Sequence, residues 1–229
     1  RLIKLDYRGR GKSDFDKDWQ NYSLPVEGRD VLELLAHLGL AQAAILGTSR
    51  GGMIAMGLAA TAKQHLLGVA LNDIGPELDP GGIDFIMTYL GRNPAARTHA
   101  EAAAALAHVF AAEFPGVPEE RWLREARKNY SQTEAGLRIT YDPRLRDAVA
   151  QGQGQPLPDL WPFFDALAGL PLCTIRGANS GLLTAETLQR MQARRPDMIT
   201  AVVPDRGHVP FLDEPEAVAA LRDWVEKMK

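Results

Sequence analysis

Ala43-Ala44-Ile45-Leu46-Gly47-Thr48-Ser49-Arg50-Gly51-Gly52-Met53-Ile54-Ala55-Met56 joins two apolar runs through a glycine-rich turn. The first run, Ala43 to Leu46, is short and reads as a buried strand. The second, Met53 to Ala62, is apolar on most sides, as in a helix packed on a sheet. Between them, Gly47-Thr48-Ser49-Arg50-Gly51 fits G-x-S-x-G, a spacing with a steric cause. A nucleophile lifted out of a sheet needs a very sharp strand-to-helix turn, and the strand and helix then come too close for side chains beside it. Such a turn leaves the backbone N–H of Arg50 at the helix start, where it can stabilise an oxyanion. The turn lacks the G-x-x-x-x-G-K-S/T spacing and a nearby lysine, so a phosphate cradle fits poorly.

Upstream, Val31, Leu34, Leu35 and Leu38 recur at helical spacing after Pro25 and stop at Gly39. Downstream, Leu66 to Leu71 reads as a second buried strand, ended by Asn72-Asp73-Ile74-Gly75-Pro76. Strands and helices alternating at this spacing indicate an α/β fold with a mostly parallel sheet and helices on both faces. From about Pro80 to Pro158 the pattern turns helical with no clear strand, around Ile83 to Leu90, Ala100 to Phe114, Glu119 to Tyr130 and Arg144 to Ala150. Gln151 to Pro156 has the composition of a flexible connector. The α/β pattern returns with strands at Leu172 to Ile175 and Ala201 to Val203 and helices at Ala185 to Arg194 and Pro215 to Met228. The expected organisation is a core over 1–79 and 159–229 with a helical cap inserted at 80–158. Leu2 to Leu5 also reads as a strand, without any lead-in, so further sheet strands are expected upstream, with a separate N-terminal chain segment one way to supply them.

The formal net charge is −3 over 229 residues, with acidic and basic residues interspersed, so nucleic acid is not an expected partner. No apolar run has membrane-spanning length and no signal peptide opens the chain, which gives a cytoplasmic expectation with no membrane partner. Cys173 is the one cysteine and sits in an apolar run, as a small buried hydrophobe would. No cysteine and histidine cluster offers a metal site, and no cofactor is expected. A homo-oligomer is left open.

A serine hydroxyl needs a base. Of five histidines, His37 and His65 lie at element ends, and His99 and His108 lie in the expected cap. His208 follows a strand, sits after Gly207 and precedes the last helix, so it belongs on the same sheet edge as Ser49.

At this point the chain resembles the α/β-hydrolase superfamily, nearest to its bacterial esterase and enol-lactonase-like group. The matching segments are Leu5 to Ser13, Gly47 to Gly52, Leu71 to Pro76, Ile175 to Gly181 and Asp205 to Pro215. The resemblance implies a serine esterase or lactonase with Ser49 as nucleophile, His208 as general base and the Arg50 N–H as one oxyanion donor. It also implies a small to medium ester or lactone as substrate, an acyl-enzyme intermediate and no cofactor. The cap would set specificity. Similar proteins carry the catalytic acid at the position of Gly181, which has no side chain, and loss of the acid from a serine triad lowers turnover about 10⁴-fold. The leading expectation is therefore an impaired site. Asp73 ranks first as a substitute acid, ahead of Asp205 and Glu186. The alternative reading is a non-catalytic ligand-binding protein with a hydrolase fold. A dehalogenase or epoxide hydrolase would need a carboxylate where Ser49 stands; a perhydrolase would keep the serine and stays open.

Overall fold

A computed structural model describes residues 1–151 and 159–229, so the connector expected at 151–156 lies almost wholly outside the described residues. In chain order the main elements are α1 (Leu24–His37), β1 (Ala43–Thr48), α2 (Arg50–Thr61), β2 (Leu66–Asn72), α3 (Pro80–Tyr89), α4 (His99–Val109), α5 (Glu119–Asn129), β3 (Tyr130–Thr133) and β4 (Gly136–Ile139). They continue with α6 (Leu145–Ala150), α7 (Trp161–Asp165), β5 (Leu172–Gly177), α8 (Ala185–Arg194), β6 (Ile199–Val203) and α9 (Pro215–Glu226). The chain divides into two compact units, one made of 24–84 and 156–229, the other of 1–23 and 85–155.

The first of these units holds a parallel sheet in the order β1-β2-β5-β6. Parallel neighbours need crossover connections, and helices supply them on both faces. Successive strand residues point to opposite faces, and β2 shows the two environments. Leu71 faces α2, where Gly52 sits against it and against Ile74. Ala70 joins Cys173, Ile175, Val203, Ala217, Ala220 and Trp224 in a buried cluster under α9. The apolar stripe of α9, Ala217, Ala220 and Trp224, recurs at helical spacing and is buried as a face. Burial of a side chain the size of Ile175 stabilises the fold by about 2 kcal/mol. Asn72 pairs in register with Thr48 of β1 and Ile175 of β5, so β1 and β2 end at one level of the sheet edge and β5 runs on to Gly177 just beyond it.

Cys173 is fully buried in the cluster under α9. Burial pushes its thiol up to about 12 from an ordinary 9.0, with Asp223 adding to the shift. A raised value in the folded state means that the native protein keeps a proton the unfolded chain gives up. The resulting stability is complete below pH 9 and is lost as pH rises towards 12. Urea titrations of the wild type and Cys173→Ala at pH 8, 9.5 and 11 should show the wild type losing stability faster, with an excess slope approaching about 1.4 kcal/mol per pH unit, the value for one proton. Parallel pH profiles for the two proteins would contradict this account of Cys173.

In the other unit, residues 9–22 are stitched to 140–142. Gly11 N–H donates to Thr140 O at 2.8 Å and Asp142 N–H to Gly9 O at 2.7 Å. The buried Tyr22 hydroxyl donates to Asp142 Oδ2 at 2.5 Å and accepts from Asp16 N–H at 2.9 Å. These bonds explain why residues 1–23, expected in the first part of the core, cluster with 85–155. Phe85, Phe110, Phe114 and Trp122 form the aromatic centre of this unit, with Phe110 stacked on Trp122 at 6.0 Å.

Two expectations are corrected. Residues 80–158 contain strands, since β3 and β4 form an antiparallel hairpin with Tyr130 opposite Ile139 and Thr133 opposite Gly136. Its apolar signal is weak: Ser131, Gln132 and Arg138 are exposed and Leu137 is the buried large apolar side chain. A ribbon held by backbone bonds and by the Thr133 hydroxyl on Gly136 O (2.7 Å) therefore escapes hydrophobic patterning. Leu2 to Leu5, by contrast, forms no strand in the described structure, and Leu2 is 83% exposed. A strand exists only where a ladder partner completes its backbone bonds, and four apolar residues do not report whether one is present. Among the described residues, no helix is long and apolar enough to cross a membrane.

Candidate active site

Ser49 lies between β1 and α2 with φ 49° and ψ −117°, a backbone region that costs a residue with a side chain about 1–3 kcal/mol. The surroundings enforce it. A Cβ on Gly47 would fall 2.5 Å from the backbone of Gly51 and Gly52, so strand and helix can approach this closely only with glycine there. Ser49 N–H donates to Asn72 O at 3.0 Å, which anchors the turn to β2. Arg50 is the first residue of α2, and first-turn N–H groups lie outside the i to i−4 ladder of the helix.

His208 lies in the loop between β6 and α9. Glu214 closes that loop, with Oε1 accepting from Phe211 N–H (3.0 Å) and Oε2 from Leu212 N–H (2.8 Å). His208 Nε2 is 3.0 Å from Ser49 Oγ, and Nδ1 is 2.7 Å from Asp73 Oδ2. An ionised carboxylate only accepts, so Nδ1 carries the proton and donates to Asp73. Nε2 is then the acceptor for the Ser49 hydroxyl, the tautomer a general base requires.

Asp73 follows β2 at φ 56°, in the left-handed region that aspartate tolerates better than most residues. Its side chain is fully buried. Oδ1 accepts from Gly177 N–H at 2.8 Å, and Oδ2 accepts from the Ser180 hydroxyl at 2.6 Å as well as from His208. A buried carboxylate without such donors would be costly; here three hydrogen bonds offset its desolvation. Asn72, also buried, ties the two loops flanking the site, with Nδ2 donating to Thr48 Oγ1 and Pro210 O, each at 3.2 Å.

The structure thus brings together Ser49, His208 and Asp73, three residues singled out in the sequence. Gly181, the expected acid position, lies exposed in the loop after β5, and a Cβ there would meet nothing within 4 Å. The carboxylate beside the histidine comes instead from the loop after β2, one strand over in the sheet. Asp205 and Glu186 are both exposed and neither is the carboxylate bonded to His208. Glu27 was missed in the sequence. It is fully buried in α1 and its Oε2 lies 2.6 Å from Arg50 Nε, so an ion pair with a buried carboxylate and a partly exposed guanidinium holds the residue after Ser49. The signal was present: Glu27 shares the apolar stripe of Val31, Leu34 and Leu35, where a charge needs a reason.

Comparison with known proteins agrees with this architecture. A 3-hydroxybutyrate-oligomer hydrolase of Cupriavidus necator is 35% identical over 96% of this chain and 77% of its own length. A 2-(acetamidomethylene)succinate hydrolase of Mesorhizobium japonicum is 25% identical over 90% of this chain and 71% of its own. The crystal structure of an alpha/beta hydrolase from Novosphingobium aromaticivorans superposes with a TM-score of 0.89 at 35% identity, covering 97% of this chain and 78% of that one. The model of the alpha/beta hydrolase family matches residues 1–221, and the chain belongs to that family.

Proposed function

We propose that this chain is a serine hydrolase that cleaves a carboxylic ester through an acyl-enzyme. The observation that carries the reading is the hydrogen-bonded series from Ser49 Oγ to His208 Nε2 and from Nδ1 to the buried Asp73 carboxylate. In the first half-reaction His208 Nε2 takes the Ser49 proton as Oγ bonds to the carbonyl carbon. The carbonyl oxygen becomes an oxyanion, which the Arg50 N–H at the start of α2 stabilises. The oxyanion collapses, the carbon–oxygen bond to the leaving group breaks, and His208 returns the proton to the departing alcohol. In the second half-reaction a water gives its proton to His208 and attacks the acyl carbon. The second oxyanion collapses, the bond between the acyl carbon and Ser49 Oγ breaks, His208 returns the proton to Oγ, and the acid leaves. Asp73 orients the imidazole and stabilises its charged form throughout.

The reason to expect an impaired site was the missing carboxylate at Gly181. A carboxylate 2.7 Å from Nδ1, supplied by the loop after β2, supports a complete nucleophile, base and acid instead. For substrate class, the 35% identical relative is named for 3-hydroxybutyrate oligomers, in which ester bonds join hydroxy acids, and this supports a small ester of a short hydroxy acid. The test combines chemistry and turnover. An organophosphonate should add once to the protein, on the peptide containing Ser49, and 3-hydroxybutyrate dimer or a short-chain nitrophenyl ester should be hydrolysed with release of acid. Absence of both the adduct and ester hydrolysis would overturn the proposal.

A further inference from the structure

Ser180 stands one residue before the position where the resemblance led us to expect the acid. Its hydroxyl accepts from Leu182 N–H and Leu183 N–H, each at 3.2 Å. A serine hydroxyl has two lone pairs and one hydrogen. With both lone pairs engaged by backbone, the hydrogen is committed, and its partner is Asp73 Oδ2 at 2.6 Å. The same Oδ2 receives His208 Nδ1–H. Ser180 is buried, so water does not compete freely for this bond.

The loop carrying Ser180 is itself fixed. Arg176, buried at the end of β5, donates Nε to Leu183 O at 2.7 Å and Nη1 to Ala178 O at 3.2 Å, gathering the loop from both ends. Ser180 N–H bonds Gly177 O and Asn179 N–H bonds Arg206 O, each at 2.9 Å, which ties the loop to the segment leading into His208. A Cβ on Gly177 would lie 2.3 Å from Gly207 O, so this approach depends on glycine.

We propose that Ser180 is the positioning residue of the acid: the loop after β5 lacks a carboxylate and instead supplies the hydroxyl that aims Asp73 Oδ2 at His208. The inference rests on the serine-hydrolase reading and deepens it. Ser180 does not touch the reacting atoms. It acts by removing the rotational freedom of a carboxylate that also accepts from Gly177 N–H and the histidine.

The experiment compares wild type, Ser180→Ala, Ser180→Cys and Ser180→Thr on one nitrophenyl ester, with Ser49→Ala and Asp73→Asn as controls for the underlying reading. Ser180→Ala should lower kcat about 10- to 100-fold, the scale of a small misplacement of a catalytic group, with KM within about twofold of wild type. Ser180→Thr keeps the hydroxyl and should recover most of the rate. Ser180→Cys, nearly isosteric with a weak donor, should behave like Ser180→Ala and serves if the alanine variant folds poorly. A downfield proton resonance from His208 Nδ1–H, identified by its loss in His208→Gln, should move in Ser180→Ala and Ser180→Cys and stay in Ser180→Thr. Full activity and an unmoved resonance in Ser180→Ala and Ser180→Cys, with Asp73→Asn inactive, would overturn this inference alone. Undiminished activity in Ser49→Ala or Asp73→Asn would overturn the reading beneath it.

Discussion

Ser49→Ala is expected to lower kcat for ester hydrolysis by about 10⁶-fold while leaving the fold intact. The size follows from the cooperation of the groups. Without Oγ there is no nucleophile for His208 to deprotonate, so the Nε2 contact at 3.0 Å has nothing to act on, and Asp73 orients a base with no substrate proton. What remains is whatever the start of α2 contributes to stabilising an oxyanion formed by direct attack of water. The substitution should also raise stability slightly or leave it unchanged. Alanine at φ 49° carries the same Cβ strain as serine, and the hydrogen bond lost is to a partly exposed imidazole rather than to a buried orphan. Burst kinetics and denaturant unfolding on the same sample separate the two effects. Retention of more than about one per cent of the wild-type rate would remove Ser49 from the mechanism.

The elbow was legible because its cause is local. Two apolar runs, a G-x-S-x-G spacing and a helix start lie within fourteen consecutive residues, and sterics between Gly47 and Gly51 act over that same short distance. His208 was legible for a related reason: a polar residue in the loop between a terminal strand and a terminal helix is placed on the sheet edge by chain direction alone. The proposed acid was harder, because its place depends on strand order. Asp73 and the Gly181 loop both leave the sheet at its C-terminal edge, and β2 and β5 are neighbours, so a carboxylate from either loop can reach an imidazole arriving from β6. Adjacency of strands separated by a hundred residues is not written in periodicity. The hairpin of β3 and β4 was hidden by polar side chains on its exposed face, and the division between the two units by backbone bonds from residues 9 and 11 to 140 and 142 that no pattern announces. The stripe position of Glu27 shows the opposite case, a legible signal that was passed over.

Asp73→Asn should lower kcat about 10⁴-fold, and Gly181→Asp should give no gain. The two variants together decide which strand supplies the acid. An asparagine at position 73 is nearly isosteric, and its amide can present either an oxygen or an NH2 to His208. Ser180 Oγ–H and Gly177 N–H both point donors at this side chain, so one of its two terminal atoms meets an unfavourable donor whichever way the amide lies. If the NH2 faces His208, the imidazole turns to the opposite tautomer, with a proton on Nε2 aimed at Ser49, and the base is lost. If the oxygen faces it, the tautomer survives but the amide brings no negative charge to stabilise the imidazolium that forms. Gly181→Asp adds a carboxylate where a Cβ meets open space, so the side chain is accommodated. It finds Nδ1 already engaged by Asp73 at 2.7 Å, inside a buried pocket of donors that the new residue does not share. A site short of its acid would respond in the opposite way, gaining orders of magnitude from Gly181→Asp and losing little from Asp73→Asn. Steady-state kinetics on one nitrophenyl ester distinguish the two patterns, and the second would return the acid to the loop after β5.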